Sequence, residues 1–238
     1  MRLAVWSGPR NLSTALMYSF AARGDCAVWD EPFYASYLAA TGIDHPMREE
    51  VMAAGECDPA EVARACAGPT PGGAPLFYQK HMTLHMVAGF DRGFMGECVN
   101  VFLIRHPARV VASYSAKRES VTLDDLGFTQ QADLFDEVAD ASGEVPVVVD
   151  SSDIRADPAG VLARLCAAVG VDFTERMLRW PTGGNASDGV WAPHWYGAVH
   201  RSSGFDGAEG PLPELAGEAA DLVARSLPSY ERLSAHAI

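Results

Sequence analysis

Trp6-Ser7-Gly8-Pro9-Arg10-Asn11-Leu12-Ser13-Thr14 lies between a short apolar run, residues 3–6, and a stretch of helical periodicity. Leu12, Leu16, Ser19 and Phe20 recur at a spacing near 3.6, and the pattern ends near Gly24. A strand, a turn and a helix therefore follow one another. At such a junction the backbone N–H groups of the turn and of the helix N-terminus offer an anion site, and Arg10 adds a cation.

Outward from this junction the alternation repeats. Runs rich in β-branched and apolar residues at about 26–29, 75–79, 99–105 and 145–150 read as four further strands. Pro107 opens a second helix through Val110, Val111 and Tyr114, and Asp157 caps a third from Pro158 through Leu162, Leu165 and Val169 to Gly170. Alternating strands and helices predict an α/β fold of three layers, α/β/α, with a central parallel sheet of about five strands. Residues 41–75, with helical patterns at 46–54 and 59–67, read as an insertion beside the site. Residues 181–213, rich in Gly, Ser, Trp and Tyr without a period, read as a lid-like loop, and a final amphipathic helix spans about 213–227.

The chain of 238 residues is expected to form one domain. Apolar residues make up 48% and charged residues 21%, which suits a packed globular protein and excludes a disordered one. Eighteen Lys and Arg against 31 Asp and Glu leave a net charge of −13, which argues against nucleic acid as a partner. The apolar runs are too short to cross a bilayer, so no membrane partner is expected. Five cysteines without a CxxC pair suggest neither a metal knuckle nor disulfides, and the start of the chain carries no export signal, so a cytoplasmic location is expected. Only two lysines occur, Lys80 and Lys117.

The first turn stands where nucleotide hydrolases carry GxxxxGK[ST], yet Asn11 and Leu12 replace the Gly and Lys before Ser13 and Thr14. A second segment, Ile104-Arg105-His106-Pro107-Ala108-Arg109-Val110-Val111-Ala112-Ser113-Tyr114, puts Arg105 at a strand end and Ser113 on the next helix. The guanidinium can fork onto a phosphate, and the hydroxyl can reach the same group if the helix passes beside it.

On these residues the sequence resembles the PAPS-dependent sulfotransferase family, whose donor is 3′-phosphoadenosine 5′-phosphosulfate (PAPS) and whose product is the desulfated nucleotide, PAP. Residues 7–16 resemble its 5′-phosphosulfate loop, residues 104–114 its 3′-phosphate motif, and Asp150-Ser151-Ser152-Asp153-Ile154-Arg155-Ala156-Asp157-Pro158 the passage after its last strand. The resemblance implies a P-loop NTPase-like domain and no metal. It implies donor binding by Ser7, Gly8, Pro9, Arg10, Asn11, Leu12, Ser13 and Thr14, by Arg105 and Ser113, and by Arg201, Ser202, Ser203 and Gly204 in the late loop.

Sulfuryl transfer needs a cation on the leaving phosphate, for which Arg10 is placed, and a base near the acceptor. Glu31, in Asp30-Glu31-Pro32-Phe33-Tyr34, resembles the Glu-Pro-Phe turn in which the Glu is the base, and ranks first. His81 and then His85 rank behind it, although alternation on a strand turns His81 away from the face of Lys80. Lys80 is a candidate partner of the sulfuryl oxygens. Phe33, Tyr34, Trp191, His194, Trp195 and Tyr196 are candidates for the pocket of a small organic acceptor carrying a hydroxyl or amine. Two other readings remain open on the residues alone: a P-loop kinase or other nucleotide-binding protein using ATP, and a non-catalytic nucleotide-sensing module.

Overall fold

A computed structural model describes residues 1–116 and 121–238; Lys117 lies outside the described residues. In chain order β1 (Arg2–Ser7), α1 (Ser13–Ala21) and β2 (Cys26–Asp30) are followed by α2 (Tyr34–Thr41), α3 (Arg48–Ala54), α4 (Pro59–Ala67) and β3 (Leu76–Met82). Next come β4 (Val99–Ile104), α5 (Pro107–Ser115), α6 (Leu123–Leu126), α7 (Phe128–Ser142) and β5 (Val147–Asp150). The last part holds α8 (Ser151–Ala156), α9 (Pro158–Ala168), α10 (Ala192–Trp195), α11 (Gly197–His200) and α12 (Glu218–Ser234).

The five strands form one parallel sheet in the order β2-β3-β1-β4-β5. Alternation along β1 sends Leu3 and Val5 into a core with α1 and α9, and Ala4 and Trp6 into a second core with α4, α7 and α12. Because both faces are covered, the central strands read as continuous apolar runs, which is why the sequence announced them.

β1 lies beside β4, but the chain leaves β1 toward β2 on one side and leaves β4 toward β5 on the other. Connections that part in this way open a crevice at the carboxyl ends of the two strands. Buried amides satisfy the diverging backbone there. Gln131 Nε2 donates to the Trp6 carbonyl at 3.2 Å and the Leu103 carbonyl at 2.9 Å, and Asn11 Nδ2 reaches the same Leu103 carbonyl at 3.3 Å.

Two boundaries and one long helix depart from the sequence reading. The third strand runs on to Met82 rather than stopping near residue 79, because Lys80, His81 and Met82 pair in register with Val5, Trp6 and Ser7. The last helix spans Glu218–Ser234, not 213–227: it continues through Pro228, as Tyr230 and Leu233 pack against the core beneath α7 and β5. α7 was not anticipated, although Phe128, Gln131, Ala132 and Phe135, all buried, carry the i, i+3, i+4, i+7 spacing of a helix face. Residues 41–75 hold α3 and α4, and 181–213 hold the short α10 and α11. Among the described residues, no helix is long and apolar enough to cross a membrane.

Candidate functional site

A cavity of about 350 Å³ opens at the carboxyl ends of β1, β3 and β4, between the residue 8–12 turn and α10–α11. One wall is the turn after β1. Gly8 packs so closely on the Leu126 carbonyl that an added Cβ would lie 2.6 Å from its oxygen. Arg10 and Leu12 adopt positive φ of 63° and 71°, a conformation that costs a residue with a Cβ about 1–3 kcal/mol and tends to mark functional turns. No side chain caps the start of α1, so its first N–H groups face the cavity without a side-chain acceptor.

Arg105, just beyond β4, donates from its guanidinium to the Arg10 carbonyl at 2.7 Å, and Arg10 Nε donates to Ser113 Oγ at 2.9 Å. The two segments that the sequence picked out, one with Arg10 and one with Arg105 and Ser113, are thereby joined into one basic cradle. Burial, and then the charge of Arg105, pull Arg10 below the usual arginine value. Arg105 Nε is buried without a partner.

The opposite wall is acidic and aromatic. Lys80 Nζ, near the end of β3, donates to Glu31 Oε1 at 2.5 Å, Asp30 Oδ1 at 3.0 Å and the Tyr196 hydroxyl at 2.9 Å. The Tyr196 hydroxyl accepts from Trp191 Nε1 at 2.9 Å and donates to Asp30 Oδ2 at 2.7 Å. Burial raises the Asp30 carboxyl above its ordinary range and Glu31 adds to this, because one ammonium serves two acids. Burial disfavours charge on Lys80, but Asp30 and Glu31 outweigh it and hold the ammonium above the usual lysine value. Glu31 itself is held at φ 45° by its N–H to the Lys80 carbonyl, 2.9 Å, and by its carbonyl accepting from the Tyr34 N–H, 3.0 Å.

The two histidines go to different places. His81 faces the second core, stacked on Trp6 with ring centroids 4.4 Å apart and bonded to Gln79 at 3.1 Å. Burial there, with the charges of His85 and Lys80, pushes it down to about 3. His85 lines the cavity between the rings of Tyr34 and Tyr37, and its Nε2 is 4.0 Å from Glu31 Oε2. Burial, then the Lys80 charge, holds it well below the usual histidine value, so it is neutral.

Of the other candidates, Pro9, Asn11, Ser13, Thr14, Tyr34, Trp195, Ser202 and Gly204 line the cavity with Arg10, Leu12, Glu31, Lys80, Arg105, Ser113 and Tyr196. Ser7 ends β1 and Gly8 begins the turn, both buried and neither lining the cavity; Phe33 packs among Phe90, Phe94 and His81, and Trp191 is buried as a donor to Tyr196. His194, Arg201 and Ser203 are exposed and do not line the cavity. Asp30, His45 and Arg155 were not singled out although they belong to the site or its wall; Arg155 stands inside the quoted 150–158 passage, and Asp30 precedes Glu31. Among the described residues, no three His, Cys, Asp or Glu side chains converge to hold a metal ion.

Residues 1–237 match the model of a family described as a sulfotransferase domain. Two Arabidopsis thaliana proteins, named branched-chain-amino-acid aminotransferase-like protein 1 and protein 2, are 36% and 33% identical over 231 residues, 97% of this chain. The chain spans 41% of the length of each. Among solved structures it is similar to the sulfotransferase domain of the Synechococcus PCC 7002 olefin synthase, with a TM-score of 0.55, 18% identity, and 96% and 94% of the two chains covered. A sulfotransferase from Alicyclobacillus acidocaldarius matches with a TM-score of 0.53 and 13% identity, covering 98% of this chain and 94% of that one. At these identities the likeness is one of fold.

Proposed function

Because the chain belongs to the sulfotransferase domain family, we propose that it moves a sulfuryl group from PAPS to a hydroxyl or amine of a small organic acceptor. The observation that carries the reading is the facing of the Arg10–Arg105–Ser113 cradle and the Glu31–Lys80 pair across one cavity. The uncapped α1 N-terminus and the unpartnered Arg105 Nε suit a nucleotide with phosphates at both its 5′ and 3′ positions. PAPS, when bound, supplies an activated sulfuryl group whose bond to a phosphate oxygen breaks as the acceptor oxygen or nitrogen takes the sulfur.

Within that reaction Arg10, Thr14 and the loop N–H groups stabilise charge on the departing 5′-phosphate, while Arg105 and Ser113 hold the 3′-phosphate that distinguishes this nucleotide from ADP. Glu31 Oε2, the oxygen not taken by Lys80, accepts the acceptor's proton. Lys80 fixes the carboxylate from behind, and its three donors are already committed, so it acts here as a positioning residue. Neutral His85, Tyr34 and Trp195 wall the acceptor side beside the Glu31–Lys80 pair. We place this activity in the cytoplasm, with one domain carrying both subsites.

Calorimetry with PAP and ADP tests the donor assignment. A charged hydrogen bond contributes about 1.5–3 kcal/mol, so PAP should bind on the order of tenfold to a hundredfold better. Equal affinities would remove the 3′-phosphate subsite and favour a protein that uses ATP.

A further inference from the structure

At the edge of the cradle three guanidinium groups from three elements meet on one carboxylate. Arg105 follows β4, Arg109 lies on α5, Arg155 on α8, and Glu209 belongs to the stretch between α11 and α12. Glu209 Oε1 accepts from Arg105 and, at 3.1 Å, from Arg155; Oε2 lies 2.9 Å from Arg109 Nε. The same arginines hold the strap's backbone: Arg155 Nε donates to the Gly207 carbonyl at 3.0 Å, and Arg109 donates to the Gly210 carbonyl. Asp206 is 3.9 Å from Arg155 but mostly exposed.

Glu209 is a side chain 5% exposed in a strap whose neighbours, Ala208 and Gly210, are exposed. The strap buries no apolar residue of its own between 206 and 210, so what ties it down is the Glu209 carboxylate together with the two backbone carbonyls on Arg155 and Arg109. Three cations around one carboxylate leave the site positive, and a guanidinium fork fits a phosphate as well as it fits a carboxylate. Arg105 and Arg155 line the nucleotide cavity directly.

We propose that Arg105, Arg109 and Arg155 form a phosphate monoester subsite whose resident anion in the free protein is Glu209, and that the ligand's phosphate displaces the carboxylate and releases residues 206–210. The identity of the ligand rests on the donor reading, with the 3′-phosphate of PAP or PAPS as the entering group. The subsite and its exchange rest on the arginines and Glu209. A phosphate monoester carries close to two charges and three acceptor oxygens where Glu209 offers one charge and two oxygens, so the ligand wins once bound. Until then Glu209 competes from within, and the apparent affinity is the intrinsic one reduced by the fraction of molecules with the strap open. Arg109 and Arg155 thus become determinants of donor choice that lie outside the Arg105–Ser113 motif.

The experiment titrates PAP and ADP into the wild-type protein, Glu209→Gln and Arg155→Ala, and follows melting temperature with inorganic phosphate. Glu209→Gln should tighten PAP by about tenfold and leave ADP within about twofold, since only PAP carries the competing phosphate. Arg155→Ala should weaken PAP, and phosphate should raise the melting temperature of Glu209→Gln more than that of the wild type. Unchanged or weaker PAP binding by folded Glu209→Gln overturns the exchange. If that variant does not fold, hydrogen exchange on the wild type decides: PAP should speed amide exchange over residues 206–210, and unchanged or slower exchange overturns it. Equal wild-type affinities for PAP and ADP would overturn the donor reading instead, and the phosphate-dependent gain of Glu209→Gln would then still uphold the subsite.

Discussion

At the β2–β3 end of the cavity the side chains of Asp30, Glu31 and Lys80 are 1%, 10% and 2% exposed and bonded to one another, whereas at the β4 end Arg105 and Arg155 are 17% and 21% exposed and share a carboxylate lent by a surface strap. The charges at the first end come from neighbouring, register-paired strands, Asp30 opposite Lys80, and have nowhere else to go. Those at the second end converge from a strand end and two helices, and their partner hangs on a segment that packs little else. The difference separates two tasks. Under the proposed function a base must be held at one place before the acceptor arrives, which burial would do, and a phosphate clamp must give up one anion for another, which partial exposure would allow.

The largest test of this contrast is Lys80→Met. Removing one partner of a buried pair leaves two carboxylates uncompensated and should cost about 3–5 kcal/mol, which chemical denaturation would read directly. A loss under about 1 kcal/mol would mean that Asp30 is already protonated beside Lys80, and the two ends would then be alike. Glu31→Gln keeps the shape and the Lys80 contact through its amide oxygen but removes the proton acceptor. Turnover should fall by about a hundredfold while PAP affinity stays within about twofold. A drop in PAP affinity with unchanged turnover would move Glu31 from the acceptor end to the donor end.

Arg105→Ala should weaken PAP on the order of tenfold to a hundredfold by calorimetry and leave the melting temperature nearly unchanged, since its charge is satisfied by a strap rather than by the core. A large fall in melting temperature would make the basic end as structural as the acidic one. The last test concerns pH. His81 is buried neutral, with its value near 3 against an ordinary 6.5, so below about pH 6.5 the unfolded chain takes up a proton that the folded chain refuses. Stability therefore falls as pH drops from about 6.5 toward 3, by up to about 1.4 kcal/mol per unit for each such histidine. His85 acts in the same direction. In His81→Phe the fall across that window should be shallower by about one proton, and an unchanged slope would show that His81 is not held neutral by the core.

Much of this was legible in the chain. The β1–α1 turn, Arg105 with Ser113, and Glu31 before Pro32 each sit at a junction where strand periodicity stops, and such junctions at the carboxyl ends of parallel strands are where a ligand must bind. The late loop was readable only as a composition. Its aromatics divide into the buried pins Trp191 and Tyr196, the cavity wall Trp195 and the exposed His194, and no local pattern distinguishes them, because each side chain's fate depends on what faces it across the fold.

The sequence by itself determined the parallel α/β architecture and the two strand-end junctions that carry Arg10 and Arg105, because a strand, its turn and its helix announce themselves within a window of about fifteen residues through spacing alone. Tertiary structure decided the rest: that β3 runs on to Met82 and brings Lys80 to Asp30, 50 positions away; that Tyr196, 166 positions from Asp30, closes the acid cluster; and that Glu209, 104 positions beyond Arg105, fills the arginine site. Contacts of that separation leave no local trace. They are selected by the need of each buried charge or polar group for a partner, and that need arises only once the fold has brought the groups together.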